Sequence, residues 1–215
     1  MAPDLVRYHS LVERSQTSVA VFDLGGVLVP SGGALAALAV ALDVPERELA
    51  GPYWAHRDAY DVGGPAAEYW RRVTAALGRP CDSAEVARLD GIDVAHWAAL
   101  GTEATKLLAM AAERGVRLAV LSNAPASLAR AVRGAAWSAC FETLVFSSEV
   151  ALMKPDPRIY PAADRKMGVS PPDVVFFDDR PANVDAARGH GWRAHVWPGA
   201  EEAWEILARE GVLDG

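Results

Sequence analysis

The chain contains little cysteine and no excess of basic charge. Two of its 215 residues are cysteines, Cys81 and Cys140, and they do not form a Cys-x-x-Cys pair. This indicates neither a zinc site nor a disulfide framework, so we expect a protein of the reducing cytoplasm. The formal net charge of -7 argues against a general binder of nucleic acids or anionic membranes, because both need basic residues to meet phosphates.

Long hydrophobic runs are also missing. The longest one, residues 34–42, is too short to span a bilayer. The first 18 residues carry charges and have no continuous apolar stretch, so they do not resemble a signal peptide. We expect residues 1–17 to be a loosely held leader. With 51% hydrophobic and 23% charged residues, the chain as a whole has the composition of a globular protein with a substantial core.

Strand-like and helix-like segments alternate from residue 102 onward. Together with an earlier apolar run, they give five β-rich segments: 19–22, 116–121, 144–146, 174–177 and 194–196. Helical patterns separate the last four of them. This alternation predicts an α/β fold with a doubly wound, mostly parallel sheet.

Residues 31–100 break the alternation because they contain only helical patterns. Gly and Pro punctuate them at Gly63-Gly64-Pro65 and Gly78-Arg79-Pro80. We therefore predict an all-helical cap domain of residues 31–100, inserted into an α/β core domain of residues 18–30 and 101–215. The predicted cap helices cover residues 34–42, 46–60, 66–77, 83–89 and 94–100.

Polar and acidic side chains follow three of the predicted strands. Asp23 follows the first strand, Ser122 and Asn123 follow the second, and Asp178 and Asp179 follow the fourth. The carboxyl ends of parallel strands meet at one edge of a sheet, where ligands bind, so we expect these side chains to converge. Three carboxylates at two strand ends predict a site for a divalent cation.

Four motifs in this order resemble the haloacid dehalogenase superfamily of hydrolases. With the helical insert after the first strand, they resemble the subfamily with a small helical cap, and within it the branch of glucose-1-phosphate phosphatases and epoxide hydrolase amino-terminal domains. The resemblance covers residues 18–200. The motifs are FDLGGVL at 22–28, LSNA at 121–124, KPDPRIY at 154–160 and FDDRPANV at 177–184.

The resemblance implies catalytic and substrate-binding roles. Asp23 is the expected nucleophile, which forms a covalent aspartyl intermediate. Ser122 and Asn123 are expected on the phosphoryl oxygens of the substrate, and Lys154 is expected to supply a fixed positive charge. The substrate is also expected to contact the backbone N–H groups of the turn that contains Leu24, Gly25 and Gly26.

The resemblance also implies a Mg²⁺ cofactor. Its expected ligands are the carboxylates of Asp23, Asp178 and Asp179 and the backbone carbonyl of Gly25. Such a set suits Mg²⁺, which takes few protein oxygens together with water and substrate phosphate.

Gly25 departs from the pattern of phosphatases in this superfamily, which usually carry a second aspartate there as general acid and base. That aid is worth about 10²- to 10⁴-fold in rate. Its absence leaves three outcomes open: a phosphatase with a good leaving group or another acid, a different reaction such as carbon–halogen cleavage, or binding without turnover. We expect Gly25 to leave open space beside Asp23, where Gly25→Asp would restore the acid.

The adjacent carboxylates of Asp178 and Asp179 favour the phosphatase over a 2-haloacid dehalogenase. Departure of a halide requires neither a proton nor a metal, and two carboxylates would repel an anionic substrate. A receiver domain of a response regulator is disfavoured because its acidic pair follows the first strand. A regulatory protein that binds a phosphorylated ligand remains a further alternative.

The helical insert is expected to select the substrate, a small phosphorylated metabolite. Arg57 is the candidate substrate contact, and His56 or Arg57 is the candidate replacement for the missing acid. The concentration of aromatic and basic residues there is alternatively explained by packing between cap helices: Trp54, His56, Arg57, Tyr60, Tyr69, Trp70 and Arg71. Monomer and homodimer both fit the sequence.

Overall fold

The computed structural model describes residues 18–213, and the predicted leader of residues 1–17 lies outside them. Five parallel strands form one sheet in the order β3-β2-β1-β4-β5. Their bounds are β1 Val19–Phe22, β2 Arg117–Ser122, β3 Thr143–Phe146, β4 Val174–Asp178 and β5 Arg193–Val196. The predicted α/β fold with a parallel, doubly wound sheet is confirmed.

Of the helices between β1 and β2, all but the last form a group with its own hydrophobic core. Five of them, the cap helices, are α1 Gly33–Leu42, α2 Glu46–Ala55, α3 Arg57–Asp61, α4 Ala66–Ala76 and α5 Ser83–Trp97. Their apolar faces bury a cluster that includes Leu38, Tyr53, Trp70 and Leu89. Burial of such large side chains drives this packing, since each contributes roughly 1.5–3 kcal/mol.

Three of the five predicted cap helices differ from the structure. The pattern over residues 46–60 forms α2 and α3, which are separated at His56. The patterns over 83–89 and 94–100 instead form the single helix α5, which starts where Asp82 Oδ1 accepts a hydrogen bond from the Glu85 N–H at 2.8 Å.

The remaining helices lie between the strands, except the last one, which follows β5. They are α6 Thr102–Glu113, α7 Ala126–Gly134, α8 Ser147–Val150, α9 Ile159–Met167, α10 Pro181–His190 and α11 Ala200–Arg209, with 3₁₀ turns at Ala136–Cys140 and Pro171–Asp173. Sequence patterns did not predict α8 or the 3₁₀ turns, which are too short to show a period. Over residues 18–213 we find no helix with the length and apolar character needed to cross a membrane.

The sheet is covered on both faces, which explains its continuous apolar strands. Ala20 and Phe22 of β1 face one hydrophobic cluster, while Val19 and Val21 face the other. In the register of the sheet, Phe22 lies beside Val120 and Phe177 of the neighbouring strands. The polar residues that follow these three positions in the sequence therefore lie together at the carboxyl edge of the sheet.

Candidate active site

Asp23 lies at the carboxyl edge of the sheet, directly after β1. Its N–H donates to the Phe177 carbonyl at 2.9 Å, and its Oδ1 accepts from the Leu24 N–H at 2.7 Å. Burial raises the pKa of Asp23 to about 6, with Lys154 lowering it and Asp178 raising it further. The side chain of Ser122, the last residue of β2, also lowers the pKa of this carboxylate.

Lys154 is a fully buried cation between two carboxylates. Its Nζ lies 3.0 Å from Asp23 Oδ1 and 2.7 Å from Asp178 Oδ2, and it donates to the Leu121 carbonyl at 2.7 Å. Burial disfavours the charged lysine, but the two carboxylates outweigh it, so the pKa of Lys154 is raised. The ammonium therefore stays protonated and offsets their negative charge.

Asn123 holds the main chain of Lys154 in place. Its Nδ2 donates to the Lys154 carbonyl at 2.9 Å, and the Lys154 N–H donates to its Oδ1 at 2.8 Å. Asn123 also borders the cavity described below. Asn123, which is expected to contact the substrate, therefore also has a positioning role through its side-chain amide.

Asp178 and Asp179 lie in different surroundings although they are adjacent. Asp178 is fully buried, and its Oδ1 accepts from the Arg180 N–H at 2.9 Å and from Asn183 Nδ2 at 2.8 Å. The contact with Asn183 ties the end of β4 to the start of α10. Asp179 is more exposed and borders the cavity, and its pKa is raised by partial burial and by the charge of Asp178.

The donor set at this edge fits a divalent cation. Asp23, Asp178 and Asp179 each place one carboxylate oxygen within 4.8 Å of the others. When all are ionised, Lys154 balances only one of the three charges, and this excess contributes to the raised pKa values of Asp23 and Asp179. A hard cation such as Mg²⁺ would relieve the repulsion through oxygen ligands.

The turn after Asp23 requires a glycine at residue 26. The Gly26 φ is 73°, and a Cβ there would lie 2.5 Å from Asp179 Oδ2. The Gly26 N–H donates to the Val29 carbonyl at 2.8 Å. Since the Leu24 N–H is bonded to Asp23, only the Gly25 N–H of the three predicted substrate contacts has no acceptor within residues 18–213.

The expectation of open space beside Gly25 is wrong. A Cβ at residue 25 would lie 3.0 Å from Cζ3 of Trp97, the last residue of α5. The Trp97 Nε1–H is shared between the Tyr53 hydroxyl at 3.0 Å and Asp93 Oδ1 at 3.1 Å. The sequence shows which side chain is missing at residue 25, but not that an indole 72 positions later fills its place.

A cavity of about 630 Å³ lies between the sheet edge and the cap helices. Both parts of the chain contribute charged and apolar groups to its wall. These include Asp23, Ser122, Asn123, Asp179 and Arg180 from the sheet edge, and Leu35, Trp54, Arg57, Asp58, Asp61 and Trp97 from the cap helices.

Arg57 borders the cavity with its guanidinium already paired. Nε lies 2.9 Å from Asp61 Oδ1, while Nη1 lies 2.8 Å from Asp93 Oδ2 and 2.6 Å from the Tyr53 hydroxyl. Burial raises the pKa of Asp61 to about 6 although Arg57 lowers it. One cation between two carboxylates leaves an excess negative charge, so Arg57 is a poorer anion clamp than a free arginine.

The other residues predicted from the cap helices belong mostly to packing. His56 borders a separate surface groove rather than the cavity. Tyr60 and Tyr69 stack in the buried core with ring centroids 4.5 Å apart. Trp54, which is 52% exposed, borders the cavity.

Sequence reasoning missed Asp93 and Trp97. They are four residues apart on α5, so they share one helical face. Division of the pattern into two helices at Gly91 concealed this spacing. Prediction of one continuous helix over residues 83–97 would have placed both residues on the same face and indicated that they contact the nearby cap helices.

Comparison with known proteins places the chain among hydrolases. A sequence model described as haloacid dehalogenase-like hydrolase matches residues 17–191. A phosphoserine phosphatase of Thermus thermophilus is 39% identical over 97 residues, which are 44% of this chain and 39% of that protein. The phosphatase MT3486 of Mycobacterium tuberculosis is 28% identical over 167 residues, 74% of this chain and 75% of that protein.

Solved structures share the fold. The enzyme BT-2542 of Bacteroides thetaiotaomicron, in complex with magnesium and inorganic phosphate, has a TM-score of 0.64 at 21% identity, with 89% of this chain and 98% of that chain covered. The L-2-haloacid dehalogenase of Xanthobacter autotrophicus has a TM-score of 0.63 at 19% identity, with 83% and 76% covered. At these identities the likeness concerns the fold alone.

Proposed function

This chain belongs to the haloacid dehalogenase-like hydrolases, and from that premise we propose that it hydrolyses small phosphorylated metabolites with Mg²⁺ as cofactor. The observation that carries the proposal is the contact of Lys154 with Asp23, which has a carboxylate oxygen within 4.8 Å of one from Asp178 and one from Asp179. Of these three acids, Asp23 and Asp179 border the cavity. The similarity to two proteins named as phosphatases supports the same reaction class.

The proposed reaction has two steps at Asp23. A carboxylate oxygen of Asp23 attacks phosphorus, and the bond from phosphorus to the leaving oxygen breaks, with the electron pair going to that oxygen. Water then attacks the same phosphorus and displaces Asp23, which releases inorganic phosphate. A carboxylate is a weak nucleophile unless it is ionised and held in place, which the Leu24 N–H, Ser122 and Lys154 accomplish.

The proposed Mg²⁺ ligands are Asp23, Asp178, Asp179 and the Gly25 carbonyl. Bound there, the cation supplies positive charge for the phosphoryl oxygens. Asp179 is the more accessible of the paired acids, because Asp178 already accepts from Lys154, Arg180 and Asn183. An enzyme of the same fold was solved with magnesium and inorganic phosphate, which supports the choice of Mg²⁺ as the proposed cofactor.

We propose that residues of the sheet edge and of the cap helices make the remaining contacts with the phosphoryl group. The Gly25 N–H, Ser122, Asn123 and Lys154 lie on the core side, and residues 31–100 form the cap domain that covers them. Arg57 would approach the substrate from the cap domain while it stays paired with Asp61 and Asp93.

Turnover of p-nitrophenyl phosphate with and without Mg²⁺ tests the proposal. Hydrolysis that needs Mg²⁺ and is abolished in Asp23→Asn is the expected result. Release of halide from 2-chloropropionate in the presence of a chelator would replace the proposal with a dehalogenase. Thermal stabilisation by Mg²⁺ and inorganic phosphate without turnover of any phosphorylated metabolite would replace it with a binding protein.

A further inference from the structure

An aromatic wall occupies the side of Asp23 where a side chain of residue 25 would project. The Gly25 Cβ position lies 3.0 Å from Trp97 Cζ3, 3.6 Å from Cε3 and 3.7 Å from Cη2. The benzene ring of the indole thus covers Gly25, and Trp97 also borders the cavity. The apolar carbon atoms of Trp97 therefore occupy the place where an aspartate at residue 25 would put its carboxylate.

The indole is held by a buried network of the cap helices. Its Nε1–H is shared between Tyr53 and Asp93, and the Tyr53 hydroxyl donates to Asp93 Oδ1 at 2.6 Å. Arg57 completes the network through Asp93 Oδ2 and the Tyr53 hydroxyl. Rotation of Trp97 away from Gly25 would break bonds of this network, so the wall is a fixed part of the cavity.

Carbon atoms of an indole cannot donate a proton to a departing oxygen. General acid catalysis is worth about 10²- to 10⁴-fold, and its loss matters most when the leaving oxygen is strongly basic. A phenolate or a carboxylate departs readily without a proton, whereas an alkoxide does not. A flat apolar leaving group also gains contact area against the indole face.

We propose that the substrates of this enzyme are aryl or acyl phosphates, whose leaving group lies against Trp97 and departs unprotonated. This inference rests on the proposed phosphatase function. The bond from phosphorus to the leaving oxygen breaks, the oxygen keeps the electron pair, and the product leaves as a phenolate or carboxylate. Trp97 is then a specificity-determining residue for the reaction at Asp23.

A leaving-group series with the wild-type protein and Mg²⁺ tests this inference. The compounds are p-nitrophenyl, phenyl and benzyl phosphate, of which the last has an aromatic ring but an alkoxide leaving group. We expect kcat/KM to fall along the series, by about 10²-fold or more between phenyl and benzyl phosphate. Equal values for phenyl and benzyl phosphate would overturn this inference alone. No turnover of the three compounds, together with turnover of an alkyl phosphate metabolite, would also overturn this inference alone. No turnover of these compounds or of any phosphorylated metabolite would overturn the proposed function itself.

Variants at residues 25 and 97 give a second test. Gly25→Asp alone is expected not to raise turnover of benzyl phosphate, because its Cβ meets Trp97. In the Trp97→Ala background, the same change is expected to raise it at least 10-fold, as about 10²- to 10⁴-fold is available from an acid. A gain from Gly25→Asp alone, or none in a folded double variant, would overturn the inference.

Gly91→Asp is the matched control for these variants. Residue 91 lies on α5 like Trp97, is exposed, and has no atom within 4 Å of its Cβ position. The substitution Gly91→Asp adds the same negative charge as Gly25→Asp, but on the cap helices and away from Asp23. The ratio of phenyl to benzyl phosphate turnover is expected to stay at its wild-type value, and a changed ratio would show that the effect does not depend on the place of the acid.

Discussion

Lys154 Nζ lies 2.7 Å from Asp178 Oδ2, and neither side chain is exposed to solvent. A buried ion pair of this kind adds little net stability when it is intact, but loss of one partner leaves an unpaired charge in the interior. Because Nζ also lies 3.0 Å from Asp23 Oδ1, this lysine balances carboxylates at the ends of two adjacent strands. The fold and the proposed chemistry therefore depend on the same ammonium group.

Lys154→Met is expected to lower the free energy of unfolding by about 3 to 5 kcal/mol, since it leaves Asp23 and Asp178 without their cation. Urea denaturation at neutral pH measures the change. The matched control is Lys106→Met, which removes an ion pair with Glu103 whose side chains are 64% and 70% exposed. Its expected cost is below about 1 kcal/mol. Similar costs for the two variants would contradict the role of burial.

Gly26→Ala is expected to disturb both the turn and the cation site. The change forces alanine into a left-handed backbone, and its Cβ requires Asp179 to move. Gly78→Ala is the control, because Gly78 has a φ of 67° and nothing within 4 Å of its Cβ position. The backbone strain alone costs about 1–2 kcal/mol, so Gly26→Ala should cost more than Gly78→Ala. It should also weaken Mg²⁺ binding in calorimetry, and unchanged Mg²⁺ affinity would argue against Asp179 as a ligand.

Asp61 is expected to make the stability of the protein fall with rising pH. Burial raises its pKa in the folded protein to about 6 from an ordinary value of 3.8. Between these pH values the folded state binds more protons than the unfolded state, so the free energy of unfolding decreases as pH rises. The contribution is fully present below about pH 4 and is lost by about pH 6.

Asp61→Asn removes this titration. The stability of the variant relative to the wild type should therefore rise by about 2 to 3 kcal/mol between pH 4 and pH 7. Urea denaturation of both proteins across this range provides the measurement. A constant difference between the two proteins would show that the pKa of Asp61 is not raised by folding.

The core fold was predictable because parallel strands buried on both faces have continuous apolar sequences. The run ending at Phe22 and the run ending at Phe177 each lead directly into acids, and the register of the sheet brings these acids together. Helix ends in the cap were harder to predict. Gly91 weakens the helical pattern locally, but packing of the flanking residues in the cap core maintains one continuous helix.

The residues of the site were predictable where they directly follow a strand in the sequence. Asp23, Asp178 and Asp179 follow strands, and their meeting depends on sheet topology alone. The contact of Trp97 with Gly25 depends instead on how the cap helices pack above the sheet. No local pattern encodes that distance, so the most specific feature of the cavity required the structure.

The covalent role of Asp23 is tested most directly by trapping the intermediate. Wild-type protein turning over p-nitrophenyl phosphate with Mg²⁺ is quenched with borohydride, which reduces an aspartyl phosphate to homoserine, and peptide mass spectrometry then locates the modified residue. The expected result is homoserine at residue 23, dependent on substrate and absent when Mg²⁺ is chelated. Sustained turnover with residue 23 unmodified, or undiminished turnover by Asp23→Asn, would contradict the account.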